Sequence, residues 1–174
     1  RDNHSMLSIL WLEYEARRHG VDIKHARAGG EHRVPNTRAS GGWLKLDGYH
    51  RDETTGKETA WEFMGCVFHG CPKCYPANPF GTSPAHPHTH EPLDMLYQRT
   101  LSRLEYLRKE QHLEVHVIWE CEFRALRASD PTIEELAEKY DLMPRLDPER
   151  PSLEGEQMRS NSIERQRMVK RLDT

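Results

Sequence analysis

The sequence predicts an α/β layer in which helices flank a small mixed sheet, not an alternating doubly wound fold. Three observations predict it. Apolar side chains recur at helical spacing over 5–19 and again over 93–112. Two alternating segments, 43–51 and 58–65, are joined by the turn sequence DETTGK, which indicates an antiparallel hairpin. A β-branched and aromatic segment, 114–120, follows the second helix directly and predicts a further strand.

The remaining elements are shorter. Gly20 is a plausible end for the first helix, and 22–28 is compatible with a short strand. Residues 29–42 are rich in Gly, Arg, Asn and Pro, so they are predicted to form a loop. A short helix is predicted over 132–140, with Asp130 as its cap and Pro131 at its first position.

Composition limits the classes of protein. We expect one domain over 1–142, followed by a Pro-containing linker and a basic C-terminal helix or tail over 143–174. No segment approaches the roughly 18 consecutive apolar residues of a membrane span. The formal net charge of -3 argues against a basic protein that coats nucleic acid, but it does not exclude a local basic face.

Four cysteines carry the strongest motif. Cys66, Cys71 and Cys74 form C-x4-C-x2-C, and Cys121 follows the last predicted strand. Nothing marks the chain as secreted, so one zinc ion is favoured over two disulfides, with buried unpaired thiols as the remaining alternative. Four thiolates leave no open position, which makes this a structural zinc site. The surrounding segment, 66–92, holds six of the eleven prolines, so neither helix nor strand persists there.

Histidines near the cysteines offer rival ligands. His69 lies within the cysteine cluster, and His86, His88 and His90 follow it. A His-rich loop of this kind is more often a solvated surface segment than a second metal site.

Two carboxylates lie on opposite strands of the predicted hairpin. Asp47 on the first strand and Glu62 on the second could share a divalent cation, since Mg²⁺ prefers hard oxygen ligands. From the residues alone, two solvated strand carboxylates are an equal alternative.

Three segments resemble a known nuclease family. LDGY at 46–49, WEFMGCVFHGC at 61–71 and VIWEC at 117–121 are similar to very short patch repair endonucleases, members of the PD-(D/E)XK superfamily. The motifs are still more similar to those of nuclease-like segments attached to family B polymerases of viral and transposon type. The likeness covers roughly 5–123. It implies a restriction-endonuclease-like core with element order αβββαβ and a structural zinc.

The resemblance assigns roles to individual residues. It implies that Asp47, Glu62 and the backbone carbonyl of Phe63 bind a catalytic Mg²⁺ or Mn²⁺, and that His69 is the base. Glu13 on the first helix matches an accessory acidic residue. The zinc ligands are then Cys66, Cys71, Cys74 and Cys121.

One position departs from the family pattern. Met64 stands where the superfamily has a lysine, and methionine neither takes a proton nor stabilises negative charge. His69 then serves alone, or Lys45 reaches the site because it shares a strand face with Asp47, or the domain is inactive. Arg99, Arg103 and Lys109 could contact the DNA backbone, although such residues are more often a solvated helix face.

The predicted function is therefore a metal-dependent DNA endonuclease. The alternative is an inactive, zinc-stabilised nuclease fold that binds DNA or a partner protein. The resemblance also implies a place within a larger polymerase or mobile-element protein. It implies an intracellular location, in the nucleus or wherever the element's DNA is replicated.

Overall fold

The computed structural model describes residues 5–38 and 41–140. The linker and basic helix predicted over 143–174 lie outside the described residues. The elements in chain order are α1 Met6–His19, β1 Lys24–His25, β2 Arg33–Pro35, β3 Trp43–Lys45, β4 Gly48–Arg51, β5 Glu58–Met64, α2 Leu93–Lys109, β6 Glu114–Trp119, α3 Glu120–Ser129 and α4 Pro131–Lys139.

No helix within this described part of the chain is both long and apolar enough to cross a membrane.

A four-stranded mixed sheet lies at the centre, in the order β1-β4-β5-β6. The hairpin is confirmed, because β4 and β5 pair antiparallel from Gly48 opposite Trp61 to Arg51 opposite Glu58. β5 and β6 pair in parallel, and α2 provides the crossover that a parallel pair requires. The predicted α/β class with a small mixed sheet is therefore confirmed.

Three element predictions need correction. The segment 29–42 contains β2, which pairs with β3 to form a separate two-stranded ribbon. The predicted strand 43–51 is two strands, because the chain leaves the ribbon at the fully buried Leu46 and enters the main sheet at Gly48. A whole helix, α3, begins directly after β6 and was not predicted. Its first turn is stabilised by Glu122, whose carboxylate accepts the backbone N–H of Trp119 at 3.2 Å.

Side chains of β5 alternate between two apolar layers. Phe63 contacts Trp11 of α1 with ring centroids 6.1 Å apart, so the odd-numbered residues face α1. Ala60 packs with Tyr106 and Leu107 of α2, so the even-numbered residues face α2. Glu62 therefore points toward α2 from the middle of the sheet.

Candidate functional site

The four cysteine sulfurs converge. All four Sγ atoms lie within 4.8 Å of one another, and Cys71 Sγ is 3.9 Å from Cys121 Sγ. A tetrahedron with Zn–S bonds of about 2.3 Å has edges of about 3.8 Å, whereas a disulfide needs about 2.05 Å. All four thiols are free. They could hold a metal ion such as zinc, and among the described residues they are the one group of three or more side chains so arranged.

Two parallel strands bring the distant ligands together. Cys66 comes two residues after β5 and Cys121 two residues after β6, and the register of Met64 opposite Trp119 places both at the same edge of the sheet. The backbone N–H of Cys121 donates to Cys66 Sγ at 3.4 Å. Glu120, between β6 and Cys121, accepts the N–H of Cys66 at 3.2 Å. The W-E-C motif thus supplies Cys121 and, through Glu120, also positions the backbone of Cys66.

The C-P-K-C turn suits a thiolate at Cys71. Burial acts to raise the pKa of Cys71, but the backbone N–H groups of Cys74 and Lys73 stabilise its thiolate and hold the pKa below its ordinary value. Burial raises the pKa of Cys66 and raises that of Cys74 to about 12. A cation among these sulfurs supplies the charge that makes all four thiolates favourable.

The loop that carries these ligands packs against the start of α2. Gly70 has φ 66°, and a Cβ atom there would lie 1.9 Å from the backbone oxygen of Leu93. Only glycine allows this approach. The preceding residue, His69, contacts α2 as well, through a 3.1 Å hydrogen bond between its Nδ1 and Thr100 Oγ1.

Asp47 and Glu62 form a second cluster on the α2 side of the sheet. Asp47 Oδ2 accepts the backbone N–H of Phe63 at 2.8 Å, and the N–H of Asp47 donates to Glu62. Glu62, only 3% exposed, accepts two bonds from Arg103 of α2, from Nε at 3.0 Å and from Nη2 at 3.1 Å. Arg103 Nη2 also donates to the carbonyl of Lys45 at 2.5 Å. The two carboxylates are therefore adjacent and are joined through the backbone.

Burial dominates the electrostatics of both acids. It raises the pKa of Glu62 to about 7, with Arg103 acting against the shift and the charge of Asp47 adding to it. Burial also raises the pKa of Asp47, opposed by the Phe63 N–H and by Arg103. A cation close to both carboxylates would act in the same direction as Arg103 and lower both pKa values.

His69 is neutral in this setting. Burial first, and then the positive charge of Arg103, lowers the pKa of His69 below its ordinary value. Thr100 Oγ1 has one hydrogen, and it donates this to the Leu96 carbonyl at 3.0 Å. With that hydrogen on Leu96, Thr100 Oγ1 is an acceptor toward His69, an arrangement that would place the ring proton on Nδ1 and the lone pair on Nε2.

Other predicted site residues have separate partners. Lys45 Nζ lies 2.6 Å from Glu31 Oε2, and the charge of Glu31 also acts on Asp47. Glu13 Oε1 lies 3.1 Å from Nε2 of the buried His25, on the edge strand β1.

The basic residues of α2 divide in the same way. Arg99 pairs with Glu91 at 2.6 Å and Lys109 with Glu105 at 2.7 Å; Glu91 is half-buried and the other three are exposed. Of the three predicted DNA contacts, Arg103 is the one that joins the carboxylate cluster.

The His-rich loop is only partly a solvated segment. His88 and His90 are exposed, but His86 is buried and its Nδ1 accepts the backbone N–H groups of His88 and Thr89. His86 therefore has a structural role that the sequence did not indicate.

Sequence analysis also missed Thr100, Glu31 and Glu120 as members of these clusters. The spacing of Thr100 and Arg103, one turn apart on α2, is a signal that could have shown Thr100.

No protein-family model, no curated protein and no solved structure matches this chain.

Proposed function

We propose that this domain is a metal-dependent DNA endonuclease that hydrolyses phosphodiester bonds at the Asp47–Glu62 cluster. The observation that carries the proposal is the adjacency of these two acids to each other and to Arg103, whose charge also acts on His69. The buried Glu62 and the half-buried Asp47, with a neutral imidazole and a guanidinium, are groups that could support metal-dependent phosphodiester hydrolysis. Membership of the PD-(D/E)XK superfamily is part of this proposal and is supported by the motifs.

The donor set fits Mg²⁺ or Mn²⁺. Such ions take one or two carboxylates and complete their coordination with waters and phosphate oxygens. Asp47, Glu62 and the carbonyl of Phe63 would hold the ion, which would polarise the scissile phosphate and acidify a water. Arg103 contacts both oxygens of Glu62, so its guanidinium would have to move aside for Glu62 to hold an ion.

The chain's own groups then have distinct tasks. His69 accepts the proton of the attacking water at Nε2, since Thr100 holds the proton on Nδ1. Met64 is fully buried and brings no charge. Arg103 takes the place of the family lysine, because its guanidinium is next to Glu62 and can bind phosphate oxygens in a bidentate manner.

Zinc would have a structural task. Four sulfurs fill its coordination sphere, so no position remains for water or substrate. The ion would join the loop after β5 to the first turn of α3 and hold His69 beside α2.

A non-catalytic module that binds DNA is the second candidate. One observation favours it: Arg103 already donates to both carboxylate oxygens of Glu62, so a guanidinium stands where a cation would have to bind that carboxylate.

A cleavage panel tests the proposal. Nicked, mismatched and branched DNA are incubated with the protein in Mg²⁺ or Mn²⁺. Asp47→Asn should lose at least about 100-fold in rate, because Asn still accepts the Phe63 N–H but binds a cation poorly. Asp94→Asn, an exposed change at the start of α2, is the matched control and should cleave normally. Equal activity of wild type and Asp47→Asn, or no cleavage by wild type on any substrate, overturns the proposal.

A further inference from the structure

The β2–β3 ribbon presents an exposed polar and aromatic face. Its inward residues, Val34 and Leu44, pack on the core with Tyr106. Because side chains alternate, the opposite face carries the cross-strand pairs Arg33 with Lys45 and Pro35 with Trp43.

Trp43 is the exceptional residue of this face. Its exposure is 66%, whereas Trp11 and Trp61 are buried and Trp119 is half-buried. A large aromatic surface left in water is unfavourable by its area. Trp43 is therefore the aromatic side chain of this face that is available to a ligand.

The ribbon is held firmly on α2. Tyr106 Oη donates to the Pro35 carbonyl at 2.9 Å and accepts the N–H of Thr37 at 2.9 Å. Gln111 Nε2 donates to the same carbonyl at 3.2 Å, and Arg38 Nη1 donates to Ser102 Oγ at 2.9 Å. Trp43 thus belongs to an anchored element, and a ligand that stacks on it meets a preorganised surface.

Charge on the ribbon favours an anionic ligand. Arg33 is exposed on the outer face, and Arg38 is exposed just after β2, whereas the ammonium of Lys45 is paired with Glu31. The ribbon also leads into the carboxylate cluster: Trp43 precedes Asp47 by four residues, and Arg103 binds the Lys45 carbonyl.

We propose that the outer face of this ribbon binds single-stranded DNA, with Trp43 stacked on an unpaired base and Arg33 beside a neighbouring phosphate. A base within a duplex is already stacked on both sides, so an exposed indole gains most from an unpaired base. Because the ribbon lies next to Asp47 in the chain, a DNA strand bound to it would be directed toward the carboxylate cluster. The choice of DNA over RNA rests on the proposed function, whereas the stacking does not.

Binding without Mg²⁺ or Mn²⁺ tests this inference separately from cleavage. The full chain with its zinc is titrated by fluorescence anisotropy against labelled oligothymidine, a duplex of equal length and the matching RNA. Trp43→Ala should weaken binding to oligothymidine about tenfold or more, and Trp43→Phe should restore most of it. Arg33→Gln should lower the slope of log affinity against log salt by about one. Phe80→Ala, which removes an aromatic that is 92% exposed but lies in the 66–92 loop, is the matched control and should bind normally.

Each result decides a point. Equal affinity of Trp43→Ala and Phe80→Ala for oligothymidine overturns the inference. Binding of the duplex as tightly as oligothymidine overturns the claim that Trp43 stacks on an unpaired base. Tighter binding of RNA overturns the choice of DNA. If binding depends on Trp43 but the wild-type protein cleaves no substrate, the proposed binding site on the ribbon is supported and the proposed nuclease activity is refuted. If Trp43→Ala leaves both binding and cleavage unchanged, the proposed binding site is refuted and the proposed nuclease activity stands.

Discussion

Replacing Arg103 by Met should raise metal affinity and lower cleavage at the same time. Methionine keeps the aliphatic length but removes the guanidinium that contacts both oxygens of Glu62 at 3.0 and 3.1 Å. In the proposed mechanism that guanidinium would compete with a metal for Glu62 and would stabilise the phosphate during the reaction. A residue with a purely structural role would move both quantities in the same direction.

The size of each effect follows from the geometry of the pair. Unit charges about 4 Å apart attract by about 4 kcal/mol at an effective dielectric constant near 20. The Arg103 side chain is 26% exposed, so solvent screening reduces this, and we expect about 1.4 kcal/mol, or tenfold, in Mn²⁺ affinity. Loss of one charged donor from a transition state typically costs about 100-fold in rate.

Both quantities are measured on one preparation. Mn²⁺ binding is followed by calorimetry at about pH 9, because removal of Arg103 raises the pKa of Glu62 further and protons then compete with the metal. Arg99→Met, one turn earlier on α2 and paired only with Glu91, should change neither quantity. Near-ultraviolet circular dichroism checks the fold, and Arg103→Lys should recover part of the rate. A parallel fall of affinity and rate, or no change in either, refutes the role given to Arg103.

Three further perturbations probe the acid cluster, the loop and the zinc. The folded-state pKa of Glu62, about 7, exceeds its ordinary 4.5, so the folded chain binds more protons and its stability falls as pH rises through this window. Glu62→Gln should abolish that fall. The free energy of unfolding of this variant in urea, relative to wild type, should therefore grow by about 1 kcal/mol between about pH 6 and about pH 8. A difference in unfolding free energy that does not change with pH contradicts the shifted pKa. Gly70→Ala should destabilise by about 3 kcal/mol or more through its collision with Leu93, whereas Gly56→Ala, also at positive φ but with open space, should cost about 1 kcal/mol; equal melting temperatures rule out the close contact. Elemental analysis should find one zinc per chain, and chelation should unfold the domain, while a chelated protein that keeps its circular dichroism contradicts a structural zinc.

Local patterns explain which elements were predictable. The β4–β5 hairpin combines alternation with a turn sequence, and α4 has Asp130 as a side-chain cap, so each is encoded in neighbouring residues. β2 is three residues long, and its pairing with β3 is a non-local choice that Gly- and Arg-rich sequence does not indicate. α3 begins without any break after β6, and its capping contact comes from Glu122 inside the helix.

The clusters follow the same division. The cysteines are predictable because their spacing is local except for Cys121, and their sulfurs do converge. The pairing of Glu62 with Arg103 is not, because it joins residues 41 positions apart across a helix–sheet contact. A pattern shows that Arg103 lies on a helix, but only packing decides which side of that helix meets the sheet.

The burial of Met64 explains why a cation would come from the helix. Met64 and Glu62 face α2 from the same strand, and Met64 is fully buried, so a lysine there would need its charge satisfied inside the protein. Arg103 approaches Glu62 from the rim of α2, where part of its side chain stays in water, and it remains charged at little cost. Thr100, one turn from Arg103 on α2, holds the side chain of His69 against this helix through a hydrogen bond. The positions of the proposed base and of the proposed phosphate ligand are thus fixed by α2. The cysteine-bearing loop after β5 contacts the same helix through Gly70 and His69.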